Sequence, residues 1–200
     1  METRDDLTTL YAEFGARIYS YLRRLTQDAA LAEELTQDTF LRALEHLQTF
    51  RGEGSVSNWL YRIATNLFRD YLRTHQGKTL LSWDEGEGAA MEAALLAQVP
   101  DPAPPLPQVL QQQAVTQCVR DCVAALPAPY RAALLLYAIE GKSVEETAAI
   151  LGCGKDAVKV RLHRARQLFK ALASERCEVS TERGGEVSCL PKGPVKEARS

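Results

Sequence analysis

Helical periodicity runs through most of this 200-residue chain, and one segment breaks it: residues 79 to 110 hold the stretch WDEGEGAA and five prolines between Pro100 and Pro107. Proline fixes φ and lacks an N–H, so no continuous helical domain passes through such a run. The chain is therefore expected to fold separately on either side. An acidic, Pro-rich linker over residues 77 to 109 would join one helical domain at 1 to 76 to a second at 110 to 173. A tail at 174 to 200, with two cysteines and no strong helical pattern, follows. Strand signals are scarce throughout, and the predicted fold class is all-α, two small helical domains on a flexible tether.

Charge is distributed along the same divisions. The formal net charge is −2, but Lys+Arg against Asp+Glu counts 9 to 11 over residues 1 to 75, 1 to 5 over 76 to 110, 9 to 5 over 111 to 173 and 5 to 5 in the tail. Only the third segment is clearly basic, and a local excess on one helix is the relevant mark of a nucleic-acid binder. No apolar run approaches the roughly 20 residues of a membrane span, and METRDDLTTL lacks the regions of a signal peptide. The expected location is the cytoplasm, without membrane insertion. In that reducing compartment the five cysteines argue against a disulfide framework. His46, His75 and His163 are isolated and no glycine-rich phosphate loop occurs, so the chain is not expected to be an enzyme.

In the first domain, Asp28 is a plausible N-cap for a helix from Ala29 to Leu47. Ala32, Thr36, Thr39, Phe40, Ala43, Leu44 and Leu47 share its inward side. Opposite lie Leu31, Leu35 and Leu41 with Glu34, Asp38, Arg42 and Glu45. Leucines mixed with acids suit a protein-binding face, with apolar area for affinity and charge for orientation; a third helix covering the leucines fits the pattern equally. Next, NWLYRIATNLFRDYLR turns Leu60, Ile63, Ala64, Leu67 and Tyr71 inward and places Arg62, Thr65, Asn66, Arg69 and Arg73 on the other side. Arginines hold phosphates, and an asparagine offers a base edge both donor and acceptor. The preceding FRGEGSVSNW sets Phe50 and Trp59 around a pliant loop where an unpaired base could stack. A merely solvated basic face and a core tryptophan are the ordinary alternative.

The second domain carries the most specific signal. Ser143 and Glu146 have capping-box spacing at the start of VEETAAIL, Gly152 and Gly154 flank Cys153, and a second helix runs from about Asp156 to Leu172. This is helix-turn-helix spacing, with a charged helical hairpin as the bland alternative. Val158, Leu162, Ala165, Phe169 and Leu172 form the predicted buried stripe, leaving Lys159, Val160, His163, Arg164 and Lys170 outward and Arg161 and Arg166 on the flanks. Six basic residues and one acid lie between Lys155 and Lys170, which suits a helix entering a major groove.

Together, DAALAEELTQDTFLRALEHLQTFRGEGSVSNWLYRIATNLFRDYLR and ALPAPYRAALLLYAIEGKSVEETAAILGCGKDAVKVRLHRARQLFKAL resemble regions 2 and 4 of the sigma-70 family, in its extracytoplasmic-function (ECF) group. The likeness covers roughly residues 7 to 173, with two signatures in the right order. It implies an RNA polymerase sigma factor that directs promoter recognition, DNA melting and initiation for a stress- or signal-responsive gene set. The alternative is a helix-turn-helix regulator acting without core polymerase. By the resemblance, Leu31, Glu34, Leu35, Asp38, Leu41 and Arg42 would bind core polymerase through its β′ clamp helices. Asn58, Trp59, Arg62, Asn66, Arg69 and Arg73 would serve the minus-ten element. Lys155, Lys159, Val160, Arg161, His163, Arg164 and Arg166 would serve the minus-thirty-five element. Asp156, Ala157 and Val160 depart from the family's usual Gly-Thr and Ser at this helix, which bears on the target sequence. The linker would thread a basic channel of the polymerase, whose β and β′ subunits are the expected partners along with promoter DNA and an anti-sigma factor. No cofactor is implied. Cys177 and Cys189 lie in an extension of a kind that carries metal or redox sensors in some members, although two thiols fall short of the four ligands of a structural zinc site. Cys118 and Cys122, spaced by four, read as core thiols.

Overall fold

A computed structural model describes residues 2–47, 55–75, 117–181 and 187–191. The expected linker and the loop from Phe50 to Gly54 lie outside these residues. Three helices form the N-terminal unit: α1 (Glu2–Thr26), α2 (Ala29–His46) and α3 (Val56–His75). The second unit holds α4 (Gln117–Ala124), α5 (Ala128–Leu134) running into a π-helical turn (Leu135–Ile139), α6 (Val144–Leu151) and α7 (Lys155–Arg176). Among the described residues no helix is long and apolar enough to cross a membrane.

Local chemistry sets the boundaries. Asp28 caps α2 as expected, its Oδ1 accepting from the N–H groups of Ala30 and Leu31 at 2.8 and 3.2 Å. Ser143 and Glu146 close a reciprocal capping box on α6, with Ser143 Oγ accepting from the Glu146 N–H at 3.1 Å and Glu146 Oε2 from the Ser143 N–H at 2.8 Å. Gly152 ends α6 at φ 65°, the left-handed conformation that a Cβ resists, and so turns the chain into α7.

Both units are helical, as the periodicity indicated. Unanticipated is a short antiparallel hairpin directly after α7, β1 (Cys177–Thr181) against β2 (Val187–Pro191). Its sequence signal is brief: two five-residue strands around Gly184 and Gly185.

The N-terminal core forms where α1 packs along α2 and α3. Tyr21 and Tyr61 meet edge to face at 5.2 Å, and Tyr21 Oη lies 2.9 Å from Thr65 Oγ1. Burial pushes both phenols well above their ordinary range. Cys122 is buried and forms no disulfide, in keeping with the core reading.

The two units share that core. One apolar cluster runs from Ile18, Leu22 and Leu25 through Leu60 and Tyr61 to Leu135, Leu136 and Ile150. Helix α6 lies against α3, and α5 with its π-helical turn meets α1. Each large side chain fully buried there contributes roughly 1.5–3 kcal/mol.

Candidate functional site

Three helix faces carry the candidate residues. On α2, Glu34, Leu41 and Arg42 are exposed, Leu41 at 58%, and Asp38 and Leu31 are half-buried. Leu35 corrects the sequence reading: it is 5% exposed and belongs to the core. It stands three residues after Ala32 and four before Thr39, both fully buried, and α1 covers that stripe. The outward face is therefore Glu34, Asp38, Leu41 and Arg42 flanked by Leu31.

On α3, Arg62 and Arg73 are exposed, whereas Asn58, Asn66 and Arg69 are half-buried. Arg73 Nη2 pairs with Asp70 at 3.1 Å. Trp59 is half-buried and packs against the core cluster. Thr65 is a second correction, being wholly buried: its hydroxyl donates to the Tyr61 carbonyl at 2.7 Å and meets Tyr21, so local hydrogen bonding draws it inward. Two residues of this face are engaged by the second unit. Asn58 Nδ2 donates to Glu146 Oε1 at 2.9 Å, and Arg69 Nη1 to the Leu151 carbonyl at 3.4 Å.

On α7, Val160 and Arg161 are the third correction, at 4% and 7% exposure. Helices α4, α5 and α6 all pack on α7, so its buried arc is wider than one stripe. Arg161 Nη1 donates to Cys153 Sγ at 3.3 Å, bracing the turn between α6 and α7. Arg164, half-buried, donates through Nη1 to Tyr130 Oη at 2.7 Å. The Arg166 guanidinium sits over the Tyr137 ring, 5.7 Å from its centroid.

The outward stripe of α7 is thus Lys155, Lys159, His163 and Lys170, with Gln167 between the last two. Gln167 Nε2 lies 2.9 Å from His163 Nε2, and Lys155 Nζ pairs with Glu145 at 2.9 Å, which holds the Glu145 carboxyl below its ordinary value. The sequence reading missed Gln167, although the run 159, 163, 167, 170 has helical spacing and its amide suits a base edge. Among the described residues no group of three or more His, Cys, Asp or Glu could hold a metal ion.

These faces define a helical protein in two units with a lysine-bearing helix-turn-helix in the second. Residues 10–78 match the family model described as Sigma-70 region 2, and residues 116–169 the one described as Sigma-70, region 4. The chain belongs to the sigma-70 family of RNA polymerase sigma factors, in its ECF group. RNA polymerase sigma factor YlaC of Bacillus subtilis is 32% identical over 179 residues, which are 89% of this chain and 98% of YlaC. The probable RNA polymerase sigma factor RfaY of Xanthomonas campestris is 38% identical over 143 residues, 71% of this chain; the match spans only 34% of RfaY. In fold alone, the chain is similar to the sigma factor RpoE of Bartonella quintana, solved in complex with the anti-sigma factor NepR, with a TM-score of 0.60 at 23% identity over 84% of this chain and 97% of that one.

Proposed function

We propose that this sigma factor binds core polymerase through Glu34, Asp38, Leu41 and Arg42 on α2, engages the minus-ten element through α3, and docks α7 on the minus-thirty-five element. The observation that carries the reading is the exposed lysine stripe of α7 on a capped helix-turn-helix, in a chain whose other family region supplies a separate apolar-acidic face. Lys155 and Lys159, near the start of the recognition helix, approach the groove first, with His163 and Gln167 one and two turns on. Phosphate contacts fix register and the amide and imidazole read base edges. No reacting group is supplied by this chain: it is a specificity subunit, acting in the cytoplasm where the polymerase works, on stress- or signal-responsive genes.

An anti-sigma factor is the proposed regulator, supported by the likeness in fold to a sigma factor solved with one. The tail cysteines are the proposed place for metal or thiol chemistry, supported by the hairpin register, in which Cys177 pairs with Pro191 and Cys189 with Val179, two positions apart. Metal analysis of full-length and tail-truncated protein tests this, and equal, near-zero content in both would refute a metal.

Core polymerase mixed with this chain alone, on a library of promoter fragments, tests the main reading. Initiation from a discrete promoter set is expected. A chain that binds DNA and ignores core polymerase would instead be the stand-alone regulator.

A further inference from the structure

Helix α7 carries three arginines in its central turns, and all three are held within the chain. Arg161 donates to Cys153 Sγ, Arg164 donates to Tyr130 Oη, and Arg166 lies over the Tyr137 ring. Guanidinium groups are the usual readers of guanine, whose O6 and N7 both accept. Past the Lys155–Glu145 pair, the outward stripe that remains to face DNA consists of Lys159, His163, Gln167 and Lys170.

The two lysines bracket the other two residues. Lys159 and Lys170 are eleven positions apart, a rise of about 16 Å along the helix axis against a major groove about 12 Å wide. Both ammonium groups therefore reach phosphates at the groove edges, and His163 and Gln167 lie between them over the groove floor. Their mutual hydrogen bond fixes what they present, since Gln167 Nε2 lies 2.9 Å from His163 Nε2. An amide nitrogen has two N–H donors and no acceptor, so the ring nitrogen accepts, and the neutral imidazole holds its proton on Nδ1. One N–H of Gln167 is thus spent on the ring. What the amide keeps for DNA is one N–H beside Oε1, a single donor next to a single acceptor. Adenine offers the complement in the major groove, N7 to accept and the N6 amino group to donate, whereas guanine offers two acceptors. A freely rotating glutamine amide can turn its NH2 group to guanine, and the contact with His163 removes that option.

We propose that Gln167, oriented by His163, specifies an adenine in the minus-thirty-five element. Gln167 reads the base, and His163 is a positioning residue that acts through it. The inference rests on the assignment of α7 to that element. Gln167 is exposed and His163 half-buried on the outer face, so their replacement leaves the packed side of α7 intact.

The test uses core polymerase programmed with the full chain, on a promoter pool whose upstream element is randomised, with the initiated templates sequenced. The wild type is expected to select adenine at one position of that element. Gln167→Ala should lower the preference there about tenfold, the discrimination of one bidentate amide contact, with the other positions unchanged. Gln167→Glu, which offers acceptors alone, should move the preference at that position towards cytosine through its N4 amino group. His163→Ala frees the amide and should raise guanine relative to adenine at the same position. His163→Gln, whose Oε1 accepts the same N–H, should restore adenine. The assignment is overturned if Gln167→Ala keeps the wild-type preferences at every position, or if it weakens all templates equally, as loss of a phosphate contact does. Identical profiles for His163→Ala and wild type would overturn the positioning role. Each of these outcomes requires a wild type that initiates and so leaves the wider reading of α7 standing, whereas a chain that fails to program core polymerase overturns both.

Discussion

Helices α2 and α3 are similar in length and position, and both show a polar face opposite an apolar one, yet their faces have different fates. That of α2 points to solvent with Leu41 exposed, whereas that of α3 is partly covered by α6. Chemistry explains the difference. The α3 face offers an amide and guanidinium groups, which a capping-box glutamate and a helix-end carbonyl can satisfy from within the same chain. An exposed leucine among charged residues makes no such demand, and Leu41 stays open to solvent.

The comparison breaks hardest if the two units do not share a core. Tyr61→Ala removes a buried ring that touches Tyr21 and the Glu140 carboxylate together. A loss of about 3 kcal/mol is expected, from the transfer and cavity cost of deleting a buried aromatic. Denaturant unfolding followed both by far-ultraviolet circular dichroism and by hydrogen exchange in α6 should show one transition shifted as a whole. Destabilisation of α1 to α3 alone would mean that the units are held together only weakly.

A smaller effect separates the open face from the covered one. Leu41→Asp is expected to weaken core polymerase binding by about 2 kcal/mol, roughly 30-fold, on the scale of a central interface residue. Its position at the surface should leave unfolding within about 0.5 kcal/mol of wild type. Titration of labelled core enzyme measures the first and thermal melting the second. A variant with unchanged polymerase affinity would move the binding face away from α2.

Within α7 the same contrast of outward and inward side chains is testable at about 1 kcal/mol. Lys159→Ala should weaken promoter-fragment binding by about that amount and lower the salt slope by about one phosphate. Arg161→Ala should act on stability instead, because its guanidinium braces Cys153 inside the turn. If Arg161→Ala lowered DNA affinity at unchanged stability, the inward placement of that arginine would be wrong.

Much of this was legible in the residues. The helix-turn-helix could be read because its caps are local: Ser143 with Glu146 and Gly152 act within a few positions of one another. Asp28 was readable for the same reason. Leu35, Val160 and Arg161 were misplaced because periodicity fixes which residues share a side but not how wide an arc the neighbouring helices cover. The seam was not legible at all. Its contacts join residues 79 to 116 positions apart in the chain, from Tyr61 with Glu140 to Arg24 with Glu140, and no local pattern marks them.

The smallest expected effect lies in that seam and depends on pH. Glu146 is held below its ordinary value near 4.5, first by the hydrogen bond from Asn58 and then by the backbone N–H of Ser143. A carboxyl with a depressed folded pKa stabilises the closed, capped state fully above its unfolded pKa, and that contribution is lost as pH falls through the folded value. Wild type should therefore melt slightly above Glu146→Gln at pH 7. The two curves should approach one another as pH drops under 4.5 and converge once it is below the depressed folded value, where the protonated acid and the amide carry the same charge. Because Glu146 serves both the α6 cap and Asn58, Ser143→Ala separates the roles. It removes the hydroxyl side of the box while leaving the Asn58 contact, so its melting deficit should persist unchanged in Asn58→Ala if cap and seam are independent. A deficit that shrinks in the double variant would show that the cap is what holds Glu146 in place against Asn58 of α3.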